Sequence, residues 1–182
     1  MLSHKAIWPV QAAAGGPAAL GRDEGVAAAM TVPVQPFITT FPGTLDAKGR
    51  VCIPAAWRAI LTAQGTPGVY VLPSFIDPAL DCFGQTLLDE TATRLAAQDP
   101  FLSPAFDDEA TTLISRTHIL APDENGRVVL PDALIAHAAL KDRVLFAGKV
   151  KKFQIWDAER YAALEAEAVA RMRARYAGQR GQ

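Results

Sequence analysis

Short apolar runs follow one another in the same order twice along the chain. In each copy a tight turn leads into a strand-like run, which is followed by a short helical pattern, two further strand-like runs and a helix. In the first copy the strand-like runs are at 51–53, 69–72 and 80–83, and in the second they are at 128–130, 144–146 and 153–156. The pattern predicts an α+β fold of two similar β-rich units with short helices.

The most specific feature is a nine-residue motif that recurs 77 residues further along the chain. Asp46-Ala-Lys-Gly-Arg-Val-Cys-Ile-Pro54 matches Asp123-Glu-Asn-Gly-Arg-Val-Val-Leu-Pro131 at five of the nine positions. The glycine of each copy, Gly49 or Gly126, permits the positive φ that a tight reversal requires. The closing proline ends the strand and suits the first turn of the helix that follows.

Each motif also places an aspartate four residues before an arginine, across the turn. The carboxylates of Asp46 and Asp123 would hold the guanidinium groups of Arg50 and Arg127 in one rotamer, directed away from the body. A purely structural ion pair is the alternative interpretation. An exposed ion pair contributes only about 0–1 kcal/mol, which is a weak reason for using the same device twice.

The two units are expected to pack against each other. Each has about 45 residues and short strands with unpaired edges, so mutual burial is the expected solution. The prediction is one pseudo-twofold body with both turns on a shared side. A long C-terminal helix is predicted at 157–176, with Asp157 as its N-cap and with an apolar stripe at helical spacing.

Residues 1–36 are rich in Ala, Gly and Pro and show no sustained period, so they are predicted to be a disordered N-terminal extension. Met30 lies just before the ordered pattern begins, so a start at Met30 is one hypothesis that would explain the extension.

Net charge is −1, which argues mildly against a nucleic-acid partner, but the charges are unevenly distributed. Residues 77–109 carry eight acids and one base, whereas 141–152 carry five bases and one acid. Residues 171–180 carry four arginines and no acid, which is explained most simply as a helix end whose charge complements the helix dipole.

Candidate catalytic and metal-binding groups are scattered. The histidines do not form a set, and the connection that contains Asp107 and Asp108 is predicted to be a solvated loop. Cys52 and Cys82 lie in apolar, strand-like contexts and are expected to act as small hydrophobic residues in a reducing cytoplasm. No cofactor, metal ion, small-molecule substrate or enzymatic activity is therefore expected, and no apolar run approaches the roughly 20 residues that cross a bilayer.

The two motif copies, followed by Phe153-Gln-Ile-Trp-Asp157, resemble the MraZ family of the AbrB-like (SpoVT-AbrB) swapped-hairpin group. The similarity runs from about Phe37 to about Ala170. It implies two tandem SpoVT-AbrB domains, at 40–85 and 116–159. It also implies a cytoplasmic, nucleoid-associated regulator that represses its own division and cell-wall gene cluster. Such a protein would bind short direct repeats in double-stranded promoter DNA as a closed ring of identical subunits.

The resemblance also assigns roles by position. Arg50 and Arg127 become the candidates for base or phosphate contacts. Lys48 is a candidate for phosphate contact because it is expected at the solvated tip of the first turn, beside Arg50. The supporting residues of the motif are Asp46, Asp123, Gly49 and Gly126. Weaker candidates follow from charge and not from the resemblance. Lys149, Lys151 and Lys152 are interpreted first as a solvated loop between two strands and second as a DNA-facing edge, and Arg58, expected to be exposed beside Trp57, is a minor candidate.

Two departures from the family pattern are present. The extension at 1–36 is additional, and Asn125 stands in the second copy where Lys48 stands in the first. The two tips should therefore not contact DNA equally.

Two other classes of function are alternatives to DNA binding. The first is an AbrB-like protein-interaction module, antitoxin-like or a scaffold, that does not bind DNA. The second is an enzyme on a small β-barrel, which is disfavoured because no nucleophile, base and orienting residue can be assembled. Three aromatic residues are predicted to belong to the core and not to stack on bases: Trp57, Phe83 and Trp156.

Overall fold

The computed structural model describes residues 35–179. The strands are β1 (Thr40–Thr44), β2 (Arg50–Cys52), β3 (Val69–Pro73), β4 (Leu80–Phe83), β5 (His118–Leu120), β6 (Arg127–Val129), β7 (Arg143–Lys149) and β8 (Lys152–Asp157). The helices are α1 (Ala55–Ala63), α2 (Gln85–Ala96), α3 (Pro104–Glu109), α4 (Asp132–Ala138) and α5 (Ala158–Gln179). A π-helical turn at Ala110–Ile114 continues α3. The predicted α+β class, with its short helices and long C-terminal helix, is confirmed.

Six strands form one antiparallel sheet in the order β1-β7-β8-β4-β3-β5, and β2 and β6 form a separate antiparallel ribbon. The strand order is symmetric about the centre of the sheet: exchanging β1 with β5, β7 with β3, and β8 with β4 gives the same order read from the opposite edge. Asp81 and Gln154 face each other at the centre of this exchange. The edge strand of each copy therefore pairs with a strand of the other copy, which supports a pseudo-twofold arrangement.

The ribbon, α1 and α4 cover one face of the six-stranded sheet, and the main core lies between them. Val51 and Val128 of the ribbon are each 1% exposed and join this core. The ring centroid of Trp57 lies 4.7 Å from that of Phe153 and 5.1 Å from that of Phe41. The ribbon is thus fixed to the body by its inward side chains, which leaves its other face outward.

Helices α2 and α5 cover the other face of the sheet, one on each half. Leu87 and Leu88 of α2 pack on an apolar cluster that includes Phe83. Tyr161 and Leu164 of α5 pack on a cluster that includes Trp156. The burial of Trp57, Phe83 and Trp156, at 2%, 8% and 2% exposure, confirms their predicted place in the core.

The C-terminal helix begins where it was predicted. The Asp157 Oδ1 atom accepts a hydrogen bond of 3.2 Å from the backbone N–H of Arg160, as an N-cap does. The helix ends at Gln179, three residues beyond the predicted end at 176. Tyr161 and Leu164 are half-buried, whereas the side chains from 169 to 177 are all exposed. Only the first half of the helix therefore lies on the body.

The connection between α2 and β5 was predicted to be a solvated loop, and this prediction is wrong in part. Asp107 lies in the first turn of α3, and Asp108 lies one residue further along. Ser103 caps the helix by accepting a hydrogen bond of 3.2 Å from the backbone N–H of Phe106, and Pro104 occupies the first helical position. Ser-Pro is a recognisable start of a helix. The helix that follows has only six residues, too few to show a helical pattern of apolar positions, so it was not predicted.

Of the predicted extension at 1–36, residues 1–34 lie outside the described residues. Within 35–179 the structure has no helix that is both long and apolar enough to span a membrane. The same residues contain no group of three or more histidine, cysteine or acidic side chains that could hold a metal ion.

Candidate nucleic-acid interface

The two turns that carry the repeated motif have the same hydrogen-bonding pattern. In the first turn the Asp46 Oδ1 atom accepts hydrogen bonds of 2.9 Å from the backbone N–H groups of Lys48 and Arg50, and Oδ2 accepts one of 2.7 Å from Arg50 Nε. In the second turn Asp123 accepts the equivalent three hydrogen bonds, which measure 2.9, 2.9 and 2.8 Å. Each aspartate therefore holds both the shape of its turn and the direction of its arginine.

The glycine of each turn adopts the left-handed conformation that the sequence predicts. The φ angle is +70° at Gly49 and +76° at Gly126. Each glycine N–H donates to the carbonyl oxygen of the turn's aspartate, at 2.9 Å in the first turn and 2.8 Å in the second. A residue with a Cβ would strain this backbone, so the glycines are part of the device.

Hydrogen bonds within the two turns keep both carboxylates charged. Hydrogen bonding from the Arg50 side chain is the largest of the effects that lower the pKa of Asp46, to about 2. The pKa of Asp123 is lowered as well, chiefly by its hydrogen bond from the Arg127 backbone N–H. Both guanidinium groups therefore meet an ionised partner at neutral pH.

The outgoing strand of each copy pairs with the other copy and not with its own incoming strand. β2 runs antiparallel to β6, with Val51 opposite Val128. Beyond this ladder, Ile53 N–H donates to the Gly126 carbonyl at 3.1 Å, and Leu130 N–H donates to the Gly49 carbonyl at 2.8 Å. Each turn is thus held in place by the other copy, and the two turns form one rigid unit.

Both arginines lie on the outer face of the β2–β6 ribbon. Side chains on a strand alternate between its faces, so the burial of Val51 and Val128 directs their neighbours outward. Arg50 lies opposite Val129, and Cys52 lies opposite Arg127. The side chains of Arg50 and Arg127 are 28% and 37% exposed. The structure therefore brings the two predicted arginines together on one accessible surface.

The structure also places a residue at this surface that the sequence analysis did not assign to it. Cys82 is fully buried, as a small hydrophobic residue would be, but Cys52 is exposed at the end of β2, on the outer face of the ribbon and opposite Arg127. The Cys52 Sγ atom lies 3.5 Å from the Asn125 carbonyl and 3.7 Å from Arg58 Nη1. Side chains alternate between the two faces of a strand, so the apolar Val51 between Arg50 and Cys52 is the sequence signal that would have predicted an outward thiol.

Arg58 connects the first copy to the second turn. Its Nη1 atom donates a hydrogen bond of 2.6 Å to the Ile53 carbonyl, and its guanidinium lies against Gly126. The equivalent position in the second copy is Ile135, which packs near Gly49. The first turn thus has Lys48 exposed at its tip, whereas the second turn has Asn125 at its tip and Arg58 beside it.

The three lysines of the β7–β8 connection are not part of this surface. Lys152 lies 2.8 Å from an Asp81 carboxylate oxygen, and Lys151 lies 2.7 Å from one of Glu90 in α2. Lys152 alternates along β8 with the core residue Phe153, so its side chain is on the sheet face opposite the ribbon. Lys149 is exposed at the end of β7. The structure therefore separates Lys149, Lys151 and Lys152 from the two turns.

Comparison with known proteins gives a consistent result. A family model described as "MraZ protein, putative antitoxin-like" matches residues 113–180. A protein of Xanthobacter autotrophicus named Transcriptional regulator MraZ is 44% identical over 137 residues, which cover 75% of this chain and 87% of the relative. A protein of the same name from Gluconobacter oxydans is 42% identical over 142 residues, covering 76% and 85%. The one from Rhizobium rhizogenes is 33% identical over 132 residues, covering 72% and 90%.

Proposed function

The chain belongs to the MraZ family of transcriptional regulators, and on that premise we propose that it binds double-stranded DNA sequence-specifically through the β2–β6 ribbon. The observation that carries the proposal is that Arg50 and Arg127 share the outer face of this ribbon, each oriented by an ionised aspartate. The ribbon belongs to both SpoVT-AbrB units, which we place at 40–85 and 116–159.

A two-stranded ribbon has the right dimensions to read DNA. The major groove is about 12 Å wide and admits a two-stranded β-ribbon. Arg50 uses Nε–H and one N–H of Nη2 for Asp46, which leaves the other N–H of Nη2 and both N–H groups of Nη1 for a base or a phosphate. An arginine that is held in one orientation can donate two hydrogen bonds to guanine, and each such pair discriminates against other bases by about 1–3 kcal/mol.

The two turns are expected to contact DNA differently. Lys48 at the tip of the first turn is exposed and suits a phosphate contact. The second turn has Asn125 at this position, and Arg58, from the first repeat of the same chain, lies beside it. Arg58 therefore supplies the second turn with a cation that its own sequence lacks. An unequal pair of tips suits a target whose half-sites are not identical.

A single copy of the chain offers few free cations to DNA, because Arg50 and Arg127 are paired with carboxylates and the net charge is −1. We therefore propose that several subunits act together in a closed ring on direct promoter repeats. Tethering of the subunits raises the effective concentration of each further contact. In this role the protein represses its own division and cell-wall gene cluster, in the cytoplasm at the nucleoid. It needs no cofactor, small-molecule substrate or catalytic step.

The test is a gel shift on DNA from upstream of the protein's own gene. Arg50→Ala plus Arg127→Ala is compared with the wild type, and Arg116→Ala plus Arg160→Ala serves as the control because both of those exposed arginines lie outside the ribbon. The ribbon variant should lose roughly tenfold or more in affinity per arginine, while the control binds as the wild type does. Equal binding by the ribbon variant and the wild type would show that the ribbon is not the reading surface.

The family description favours one second candidate, a protein-interaction module. That description includes the words antitoxin-like, and an antitoxin acts by embracing a partner protein. The acidic segment 77–109 could suit a basic partner. Co-purification of a stoichiometric partner, together with no shift of promoter DNA even at low salt, would favour this function over DNA binding.

A further inference from the structure

We infer that the distal half of α5 docks on the α2–α3 region of a neighbouring copy of the chain and that this contact joins the subunits of the ring. The distal α5 segment is defined as residues 168–177. The α2–α3 surface is defined by the exposed residues Asp99, Phe101, Leu102, Asp107 and Asp108. The inference rests on the proposed ring and names the two surfaces that close it.

The distal α5 segment extends beyond the body and has an amphipathic face. Val169, Met172 and Tyr176 lie on one side of the helix at helical spacing, and they are 43%, 45% and 55% exposed. Exposed apolar side chains that line up on one face of a helix mark an interaction site, so this face is expected to be covered in the assembled protein.

The internal repeat shows what kind of element covers a helix at this position. α2 and α5 follow equivalent strands, so Leu88 and Leu95 of α2 correspond to Tyr161 and Ala168 of α5. In the first copy, α3 and its π-helical turn pack beside α2, where Arg94 forms an ion pair with Glu109 and Leu95 is 5% exposed. Ala168 marks the point where α5 loses its support, because no element within residues 35–179 covers the helix beyond it.

The α2–α3 surface presents the complementary apolar groups. Phe101 and Leu102 are 92% and 82% exposed, and exposed neighbouring apolar side chains mark interaction sites. The Asp99 Oδ1 atom accepts hydrogen bonds from the backbone N–H groups of Phe101, at 2.8 Å, and Leu102, at 3.0 Å. The loop is therefore held in one conformation with both side chains outward. Little conformational entropy is then lost when it docks.

The charges of the two surfaces are opposite. The distal α5 segment carries Arg173 and Arg175, and the α2–α3 surface carries Asp107 and Asp108. These four side chains form no ion pair with residues 35–177. Opposite charges around an apolar centre favour one partner and one orientation.

A closed ring of more than two subunits requires this kind of contact. Each subunit must offer two different surfaces, one to each neighbour, because a surface that pairs with itself produces only a dimer. The two surfaces described here differ from each other and are complementary in charge, so a second copy of this chain is the partner that fits both.

The test measures the mass of the full chain without DNA by sedimentation velocity. Arg173→Glu plus Arg175→Glu is one variant, and Asp107→Arg plus Asp108→Arg is the other. Either pair alone should reduce the assembly to the mass of a single chain, 19.4 kDa. The variant that combines all four reversals should recover the assembly, and so should an equimolar mixture of the two, because each surface then meets an opposite charge again.

The control and the contrary outcomes are distinct. Asp132→Arg plus Asp142→Arg reverses two other exposed acids and should leave the wild-type mass unchanged. If the Asp107/Asp108 variant keeps the wild-type mass while the arginine variant dissociates, α5 pairs with another α5 and the inference is wrong. It is equally wrong if the combined variant does not recover the assembly, or if the wild type sediments as a single chain. The gel shift measures DNA binding by Arg50 and Arg127 separately, so a wild type that sediments as a single chain would contradict the proposed ring but not the proposed reading surface.

Discussion

Replacement of Gly126 by alanine tests whether Arg58 holds the second turn. The φ of Gly126 is +76°, and a Cβ at this position would lie 2.6 Å from Arg58 Nε. Gly65 is a matched control, because its φ is +71° but nothing lies within 4 Å of the equivalent Cβ. Left-handed strain costs an alanine about 1–2 kcal/mol, and the reduced entropy of the unfolded chain offsets about 0.4–1 kcal/mol of this. Gly65→Ala should therefore lower the free energy of unfolding by about 1 kcal/mol.

Gly126→Ala should cost more, because the added methyl group displaces the Arg58 guanidinium from the Ile53 carbonyl. A hydrogen bond from a charged donor contributes about 1.5–3 kcal/mol, so the expected total is about 2–4 kcal/mol. Urea denaturation at one protein concentration measures both glycine variants, and it measures Gly126→Ala again in an Arg58→Ala background. In that background the cost of Gly126→Ala should fall to about 1 kcal/mol. Equal costs for the two glycines, or a cost that does not depend on Arg58, would refute this account of the second turn.

Three further predictions concern single positions. Ala139 ends α4 at φ +46°, where the equivalent residue after α1 is Gly65, so Ala139→Gly should raise the free energy of unfolding, by about 0.5–1 kcal/mol in urea denaturation. The stabilising effect of the Asp46–Arg50 pair should be complete above pH 3.8 and disappear as the pH falls through about 2. The carboxyl carbon NMR shift of Asp46 should titrate near that lower value, and its midpoint should rise toward 3.8 in Arg50→Ala. Asp157→Ala removes the N-cap of α5 and should cost about 0.5–2 kcal/mol, measured by urea denaturation.

The sequence predicted the local features of this fold because they depend on local chemistry. Positive φ at Gly49 and Gly126 follows from the tight turn that the motif requires, and these are the values that the structure shows. The buried positions of Trp57 and Trp156 follow from apolar spacing in the same way. The N-cap at Asp157 is also a local feature, since it needs only a short acceptor side chain before an amphipathic run.

The pairing of the strands was less accessible to sequence reasoning. Two similar copies can pair their strands within each copy or between copies, and the side-chain pattern is the same in both cases. The pairing of β2 with β6, one strand from each copy, therefore does not follow from the side-chain pattern; the structure shows it together with the reciprocal hydrogen bonds donated by Ile53 and Leu130. Arg58 belongs to the first copy but contacts the second turn. Its place there could therefore not be predicted from the sequence of the first copy alone.

The candidate site was predicted in its main residues but not in its surroundings. Arg50 and Arg127 were assigned from the motif, and the structure places both on one face. The outward position of Cys52 could have been predicted from strand alternation, because its neighbour Val51 is apolar in both copies. The ion pairs that hold Lys151 and Lys152 on the other side of the sheet involve acids far along the chain, so no local pattern indicates them.

Cys52 provides the most direct test of the central claim, because it lies on the outer face of the ribbon, two residues after Arg50 and directly opposite Arg127. Cys82 is fully buried and burial raises the pKa of its thiol, so a thiol-alkylating reagent should label the folded protein at Cys52. The measurement is the rate of this alkylation without DNA, with DNA that carries the promoter repeats, and with unrelated DNA of equal length. Repeat DNA should slow the reaction strongly, whereas unrelated DNA at the same concentration should have little effect. An unchanged rate under conditions where the repeat DNA is fully bound would contradict the proposal that the ribbon faces the groove.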